Sequence, residues 1–226
     1  MLFLAVFAGF LAENIRESRG DEKKVSAYMA SYCRDLESDT LNFNHALRSV
    51  KNKISAYDSV VKFLNSPNEF NNLLPFNFYI KTNIDVTFVP IEPTYQQLKN
   101  SGNLRLIKNN LVLDSIQNYE GTISGDYQEQ VNYDILFNRR LVQMQEKLFD
   151  YTNLNRYLND RYTSSVDADH SKYSLFLISH NRDNVQELSN LFIGSKAADI
   201  FYISSLEDIR DNAVNLLAFI KTEYKL

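Results

Sequence analysis

Apolar and polar positions alternate along this chain with a helical period, and the longest unbroken run lies in its first third. Met29, Cys33, Leu36, Thr40, Phe43, Leu47, Val50, Ile54, Tyr57, Val61 and Leu64 are separated by four and three residues in turn. Only Thr40 among them is polar. Such spacing keeps one face of a helix apolar over five heptads, the a/d seam of a coiled coil or bundle. A helix of ~40 residues reaches about 60 Å, and it continues upstream with Gly20 as its one weak point.

The residues ahead of the seam show no such alternation. "MLFLAVFAGFLA", Met1–Ala12, is apolar on every side, and "ENIRESRGDEKK" follows, dense in charge. A buried core helix and an interfacial anchor are two readings of that run. An amphipathic helix needs a polar stripe, which this run lacks. The third reading, the distal half of a transmembrane helix, fits best. Twelve residues rise about 18 Å against a hydrocarbon core of about 30 Å, so the proximal half would lie upstream, through a late annotated start or a trimmed chain. A signal peptide is a poor fit, without a basic n-region or a small-residue cleavage site.

All four prolines fall between Pro67 and Pro93. Proline is excluded from helix interiors, so 67–93 is an irregular connection between long proline-free tracts. Within it "FYIKTNIDVTF" alternates and is rich in β-branched and aromatic residues. It reads either as a small β-hairpin near 78–89, turning at Thr82-Asn83, or as a loop packing its rings on helices. A short helix, a stop at Gly102 and a restart capped by Asn109 or Asn110 follow, with Asp114 in the new first turn.

From about 110 to 162 there are two stripes. Val112, Ile116, Tyr119, Ile123 and Tyr127 form the first. Phe137, Leu141, Met144, Leu148 and Tyr151 form the second, with Leu158 and Tyr162 beyond. They are out of heptad phase, and Gly121 and Gly125 predict a bend or loosened turn between them. Residues 163–182 read as a loop, 183–192 as a short helix stopped by Gly194, and 196–225 as a last helix striped by Tyr202, Leu206, Ile209, Ala213, Leu216, Ile220 and Tyr224. The expected fold is mainly α: an elongated helical bundle whose long N-terminal helix continues from a membrane segment. Residues 1–12 would be that segment and 13–226 a single bundle domain.

Composition narrows the function classes. The 226 residues include 44% hydrophobic and 23% charged side chains, ordinary globular usage. A net charge of -4, with basic pairs only at Lys23-Lys24 and Arg139-Arg140, argues against a nucleic-acid partner. The single cysteine, Cys33, permits no internal disulfide and falls on the seam as a small hydrophobe. Phosphate-cradling glycine loops, metalloprotease and zinc spacings, EF-hand loops and nucleophile elbows are all missing. His45 lies off the seam, on a helix surface. Asp35, Glu37 and Asp39 alternate along a helix and point apart. Tyrosines at core spacing read as packing groups with satisfied hydroxyls. The nearest approach to a metal site is "DADH", where Asp167, Asp169 and His170 could chelate, although such loops are usually just solvated. No catalytic residue, cofactor or enzymatic activity is inferred.

One stretch carries a likeness. "TYQQLKNSGNLRLIKN", residues 94–109, together with "LAENIRE" after the apolar run, resembles an uncharacterised family of single-span membrane proteins found mainly in Bacteroidetes, a domain of unknown function. The resemblance covers almost the whole chain, the last helix in character only. It implies a bacterial cell-membrane anchor, a mainly helical domain outside the cytoplasm and no known reaction. Its matched residues, Tyr95, Leu98, Ser101, Gly102, Leu104, Ile107 and Asn109, suit a tight helix-loop-helix corner. The expected function is a membrane-anchored interaction or structural module; the alternative is a sensor-like bundle binding a small ligand between helices. Expected partners are the membrane, through the N-terminal helix, and a second copy or a partner protein. The far end of the seam, Tyr57 to Leu64, is where such a partner would cover exposed apolar surface.

Overall fold

The computed structural model describes residues 2–66, 73–83, 86–163, 170–179 and 181–226. The fold is mainly α with one small sheet. Helix α1 runs from Leu2 to Leu64 without a break. Gly20 does not interrupt it: one glycine in a helix interior costs only about 1 kcal/mol. The seam residues Met29, Leu36, Phe43, Val50, Tyr57 and Leu64 are buried as expected. A second line spaced by seven, Val25, Tyr32, Asp39, Ala46, Lys53 and Val60, is buried with them, while Thr40, Ile54 and Val61 are only half-buried. The inward face is thus rotated toward a line that includes two charged residues.

The chain divides into two compact units, and both long helices contribute to each. The first comprises Met1–Asn44, Phe88–Gly125 and Asp208–Leu226. Here α1 meets α3 (Pro93–Asn100), a 3-10 turn (Asn103–Leu106), α4 (Asn110–Thr122) and the part of α7 (Arg182–Tyr224) from Asp208 onward. Its core gathers Met29, Tyr32, Leu36, Phe43, Leu98, Val112, Ile116, Ile209, Ala213 and Ile220, all buried. Phe88, in the irregular segment, stacks on Phe43 at 3.7 Å between ring centroids.

The corner at 94–109 forms as the sequence predicts. Gly102 sits at φ 68, a left-handed conformation that a Cβ makes costly, and it ends α3 and begins the 3-10 turn. Asn109 caps α4, its side chain accepting from the backbone N–H groups of Leu111 and Val112. Asp114 falls one residue past the first turn. After α4 the helix loosens into a π turn at Ile123–Tyr127, next to the two glycines, and α5 follows over Gln128–Leu148.

The second unit comprises His45–Thr87 and Asp126–Glu207. It contains α2 (Phe76–Thr82), α5, α6 (Thr152–Thr163), the first part of α7 and three short strands. Strand β3 (Ser174–Leu177) lies between β1 (Leu73–Pro75) and β2 (Phe149–Asp150), antiparallel to both. Leu74 pairs with Leu175 and Phe149 with Leu177, and these four residues face the core. Phe76 anchors a ring cluster, with its centroid 4.7 Å from that of Tyr157.

Several expectations are corrected here. The hairpin near 78–89 does not form: its first arm is helix α2, whose Phe76 and Tyr79 are buried in the ring cluster, and residues 84–85 lie outside the described set. The sheet instead pairs β3 with β1, about a hundred residues earlier in the chain, and with β2, which precedes it by fewer than thirty. The helix of 110–162 is broken at Phe149–Asp150 by β2, and Leu158 and Tyr162 are exposed. Gly194 stops nothing; α7 runs through it because Leu191, Phe192 and Ser195 on either side are buried. The far end of the α1 seam needs no second copy for cover. Tyr57, Val60 and Leu64 are buried in this unit's own core, with Leu188, Leu191 and Phe192 of α7.

The two glycine environments give opposite mutational outcomes. Gly102→Ala should lower stability by about 1 kcal/mol through its positive φ. Gly121→Ala, inside α4 with open space around the new methyl, should raise it by about 0.5–1 kcal/mol. Urea unfolding of both variants followed by circular dichroism measures the pair.

Candidate functional site

The first unit holds an unusual interior. On α1, Asp39 is buried at 2% exposure among apolar neighbours. It is one of the buried line spaced by seven, and two elements far away in sequence converge on it. The Ile91 backbone N–H donates to one carboxylate oxygen at 2.8 Å, and the Tyr119 hydroxyl of α4 donates to the other at 2.8 Å. One turn earlier, Asp35 accepts from the Thr94 backbone N–H at 3.1 Å and so caps α3 from another helix; α3's own N-cap, Glu92, makes no side-chain cap. Beside them the Tyr32 hydroxyl of α1 donates to Glu120 of α4 at 2.7 Å. These bonds hold the irregular segment, α3 and α4 to one side of α1.

Among the described residues no cation pairs with Asp39 or Glu120. Burial therefore dominates their ionisation. Asp39 is pushed up to about 6, with Ile91 and Tyr119 opposing the shift and Asp35 and Glu92 adding to it. Glu120 is pushed up to about 7 by burial, with Tyr32 opposing and Glu92, Asp39 and Asp35 adding. The tyrosines that serve them are driven above their ordinary range by burial and by the carboxylates they face.

Tyr119 also forms part of the floor of a surface groove. Helices α4 and α7 bound a groove of ≈ 280 Å³, lined by Ser115, Asn118 and Tyr119 on one side and Asn212, Asn215, Leu216 and Phe219 on the other. Tyr119 and Leu216 are buried, Phe219 is half-buried, and the three asparagines are exposed. The helical period puts Ser115 and Asn118 on one face of α4, and Asn212, Asn215 and Phe219 on one face of α7.

The second unit has its own buried polar centre. Lys53 of α1 and Asp199 of α7 are both inside, with Nζ and Oδ2 3.7 Å apart: an ion pair longer than a hydrogen bond. The Lys53 ammonium also lies 5.8 Å from the Tyr57 ring centroid. Burial pushes the Asp199 carboxyl up, and Lys53 and the Tyr57 hydroxyl pull it back. Ser195, one turn before Asp199, is buried and its hydroxyl has no hydrogen-bond partner among the described residues.

The corner residues are brought together: Leu98 and Ile107 are buried, Tyr95 and Leu104 half-buried, and Ser101 bonds back to the Gln97 carbonyl at 2.7 Å. Asn103, in the turn they form, donates to the Tyr28 hydroxyl at 3.1 Å. All of this is docking onto α1. The "DADH" candidate gains no geometry: Asp167 and Asp169 lie outside the described residues, and only the backbone of His170, in a 3-10 turn at His170–Lys172, is described. Among the described residues no three His, Cys, Asp or Glu gather as metal ligands. Cys33 is buried and its thiol is pushed up by burial, as suits a packing residue. His45 is on the surface.

Sequence reasoning missed Asp39, Glu120, Lys53 and Asp199, because a charged residue beside an apolar seam reads as solvent-facing; the reading of Asp35 and Asp39 as pointing apart is also corrected, since four residues apart they share a face of α1 and both accept from backbone N–H groups between Ile91 and Thr94. The available signal was the line spaced by seven on which Asp39 and Lys53 lie. No protein-family model, curated protein or solved structure matches the chain.

Two outcomes follow from the buried charges. A carboxyl whose folded pKa is raised binds its proton more tightly when folded, so its contribution is fully present below the unfolded pKa and is lost as pH rises through the folded one. For Asp39 and Glu120 that window runs from about 4 to about 7. Thermal unfolding should therefore occur at a higher temperature at pH 5 than at pH 8. Glu120→Gln should raise the pH 8 midpoint and flatten the profile in the upper half of the window. At the other centre, Lys53→Met should cost about 3–5 kcal/mol by leaving Asp199 buried without its cation, and Lys53→Met with Asp199→Leu should recover most of that. Denaturant titration of the single and double variants measures both.

Proposed function

We propose that the chain is a helical interaction module seated at a membrane by the start of α1. One observation carries this. Phe3, Leu4, Val6, Phe7, Phe10, Leu11 and Ile15 are all exposed, Phe3 at 81%, and no described side chain before Val25 is buried. Up to Ala12 the remaining positions are Met1, Leu2, alanine and glycine, so the sequence of this stretch offers carbon on every side and polarity on none until Glu13. Water is a poor solvent for such a surface, and a monomer rarely exposes one of this extent.

No described helix is by itself long and apolar enough to cross a membrane. The apolar turns rise about 18 Å, enough to enter the hydrocarbon of one leaflet and continue past its middle. Their backbone groups are satisfied within the helix, which a bilayer interior demands. Past Ala12 the helix becomes charged within one turn, and Arg16 pairs with Glu13 on its surface. The Lys108 ammonium then reaches Ser18 and Glu22, so the corner at 94–109 stands next to the charged exit. The module reading adds that the well-packed remainder of the unit, tied to α1 by Asp35, Asp39 and Glu120, presents surface to a protein partner. The resemblance to single-span bacterial membrane proteins supports the same placement and turns the helical domain outward from the cell.

The test is co-flotation with phosphatidylcholine vesicles. The chain should rise with the lipid, and a variant carrying Phe3→Glu, Phe7→Glu and Phe10→Glu should stay at the bottom with unchanged helicity. A native chain that stays down with it would overturn the seat. The partner half is read separately, by crosslinking and affinity capture from native membranes. Enrichment of no protein over a mock-tagged control, together with no self-association, would end it.

A further inference from the structure

We propose that the corner at 94–109 rests on the lipid headgroups beside α1, with Arg105 and Lys108 against the phosphates of anionic phospholipids. The inference rests on the membrane seat proposed above and names the lipid chemistry next to it.

Position carries the first half. The corner and the apolar turns of α1 belong to the same compact unit. The Lys108 ammonium donates to the Ser18 hydroxyl at 3.3 Å and lies 3.6 Å from Glu22. Helix α1 is unbroken here, so Ser18 and Glu22 stand about 9 and 15 Å past Ala12, the last of the apolar run. The headgroup layer on each side of a bilayer is about 5–8 Å deep. Long basic side chains at this height extend into it. Helix α4 starts at the same level, two residues after Lys108. Its other end is bonded to Tyr32 and Asp39, farther along α1. Its first turn, with Leu111 exposed, therefore points toward the apolar end of α1.

Charge carries the second half. Between Glu92 and Asp114 there is no acidic residue and there are three basic ones, Lys99, Arg105 and Lys108, in a chain of net charge -4. The exit of α1 adds no surplus, because Glu13–Lys24 holds four acids and four bases. The positive excess at this end of the unit belongs to the corner. Arg105 and Lys108 are both exposed. The pair of Lys108 with Glu22 is solvated and long, and such pairs are worth little, so it does not withhold the ammonium from a phosphate. A nucleic acid would need cations spread along a track. Two cations at the height of a bilayer surface, above carbon that water does not cover, fit a headgroup layer.

The experiment floats the full chain on vesicles of phosphatidylcholine alone and of phosphatidylcholine with phosphatidylglycerol. The anionic lipid should strengthen binding about tenfold at low salt, and the gain should shrink as salt rises. Arg105→Gln with Lys108→Gln should abolish most of that gain while leaving helicity and flotation on phosphatidylcholine unchanged. Position is read separately. The chain has no tryptophan, so a single introduced one reports alone. Leu111→Trp should be quenched by lipid carrying a nitroxide on its headgroup. Val89→Trp should not be: its neighbour Phe88 stacks on Phe43, about 46 Å past Ala12. No gain from the anionic lipid, a gain indifferent to the double variant, or a Leu111→Trp signal quenched no more than Val89→Trp would each overturn the proposal. Those outcomes leave the seat standing, because flotation on phosphatidylcholine measures it alone. A chain that floats on neither vesicle would remove both.

Discussion

Asp39 is a carboxylate that α1 carries inward, and the arrangement of the first unit depends on it. An apolar residue there would pack, but it would bond to nothing. Asp39 binds the backbone of the irregular segment at Ile91 and the hydroxyl of Tyr119 at once. Ile91 leads directly into α3, whose first turn is capped by Asp35 one turn away, and Tyr119 lies in the second half of α4. Apolar surfaces slide and rotate against each other at little cost, because the hydrophobic effect has no direction. Hydrogen bonds to a buried carboxylate do not, because a missed partner leaves a desolvated acceptor. The apolar stripe supplies the free energy of association, and Asp35, Asp39 and Glu120 set the register.

The same principle explains what could and could not be read from the sequence. The length of α1, the left-handed stop at Gly102, the Asn109 cap and the loosened turn beside Gly121 and Gly125 are local matters of φ, hydrogen-bond donors and 3.6-residue periodicity, and all were legible. The buried line through Asp39 and Lys53 was not. Periodicity scores chemistry, and at those positions the chemistry is polar while the environment is not. Partners make the burial tolerable, Ile91 and Tyr119 for Asp39 and Asp199 for Lys53, and they lie 52, 80 and 146 residues away.

The second unit shows the other limit. Strands of two to four residues carry little signal of their own, and β3 exists because β1 and β2 flank it. "FYIKT" has the composition of a strand but folds as helix α2, because its register delivers Phe76 and Tyr79 to a cluster with Tyr151, Tyr157 and Tyr173. Gly194 has the composition of a stop, yet two buried apolar side chains just before it outweigh about 1 kcal/mol of backbone entropy. In each case tertiary burial overrode a local preference worth less than the contact it would have cost.

Satisfied and unsatisfied groups separate structure from binding in the first unit. The buried carboxylates have ionisation shifted toward neutrality, and each accepts from donors within the chain: Asp39 from Ile91 and Tyr119, Glu120 from Tyr32. Burial is the leading cause of their shifted ionisation. The groups left wanting are elsewhere. Every described side chain of α1 before Ala12 is exposed, without cover from the described residues of the chain. Carbon without cover calls for lipid or another apolar surface. The helix that carries this surface is the same one whose Tyr32, Asp35 and Asp39 hold α4, α3 and the irregular segment in place.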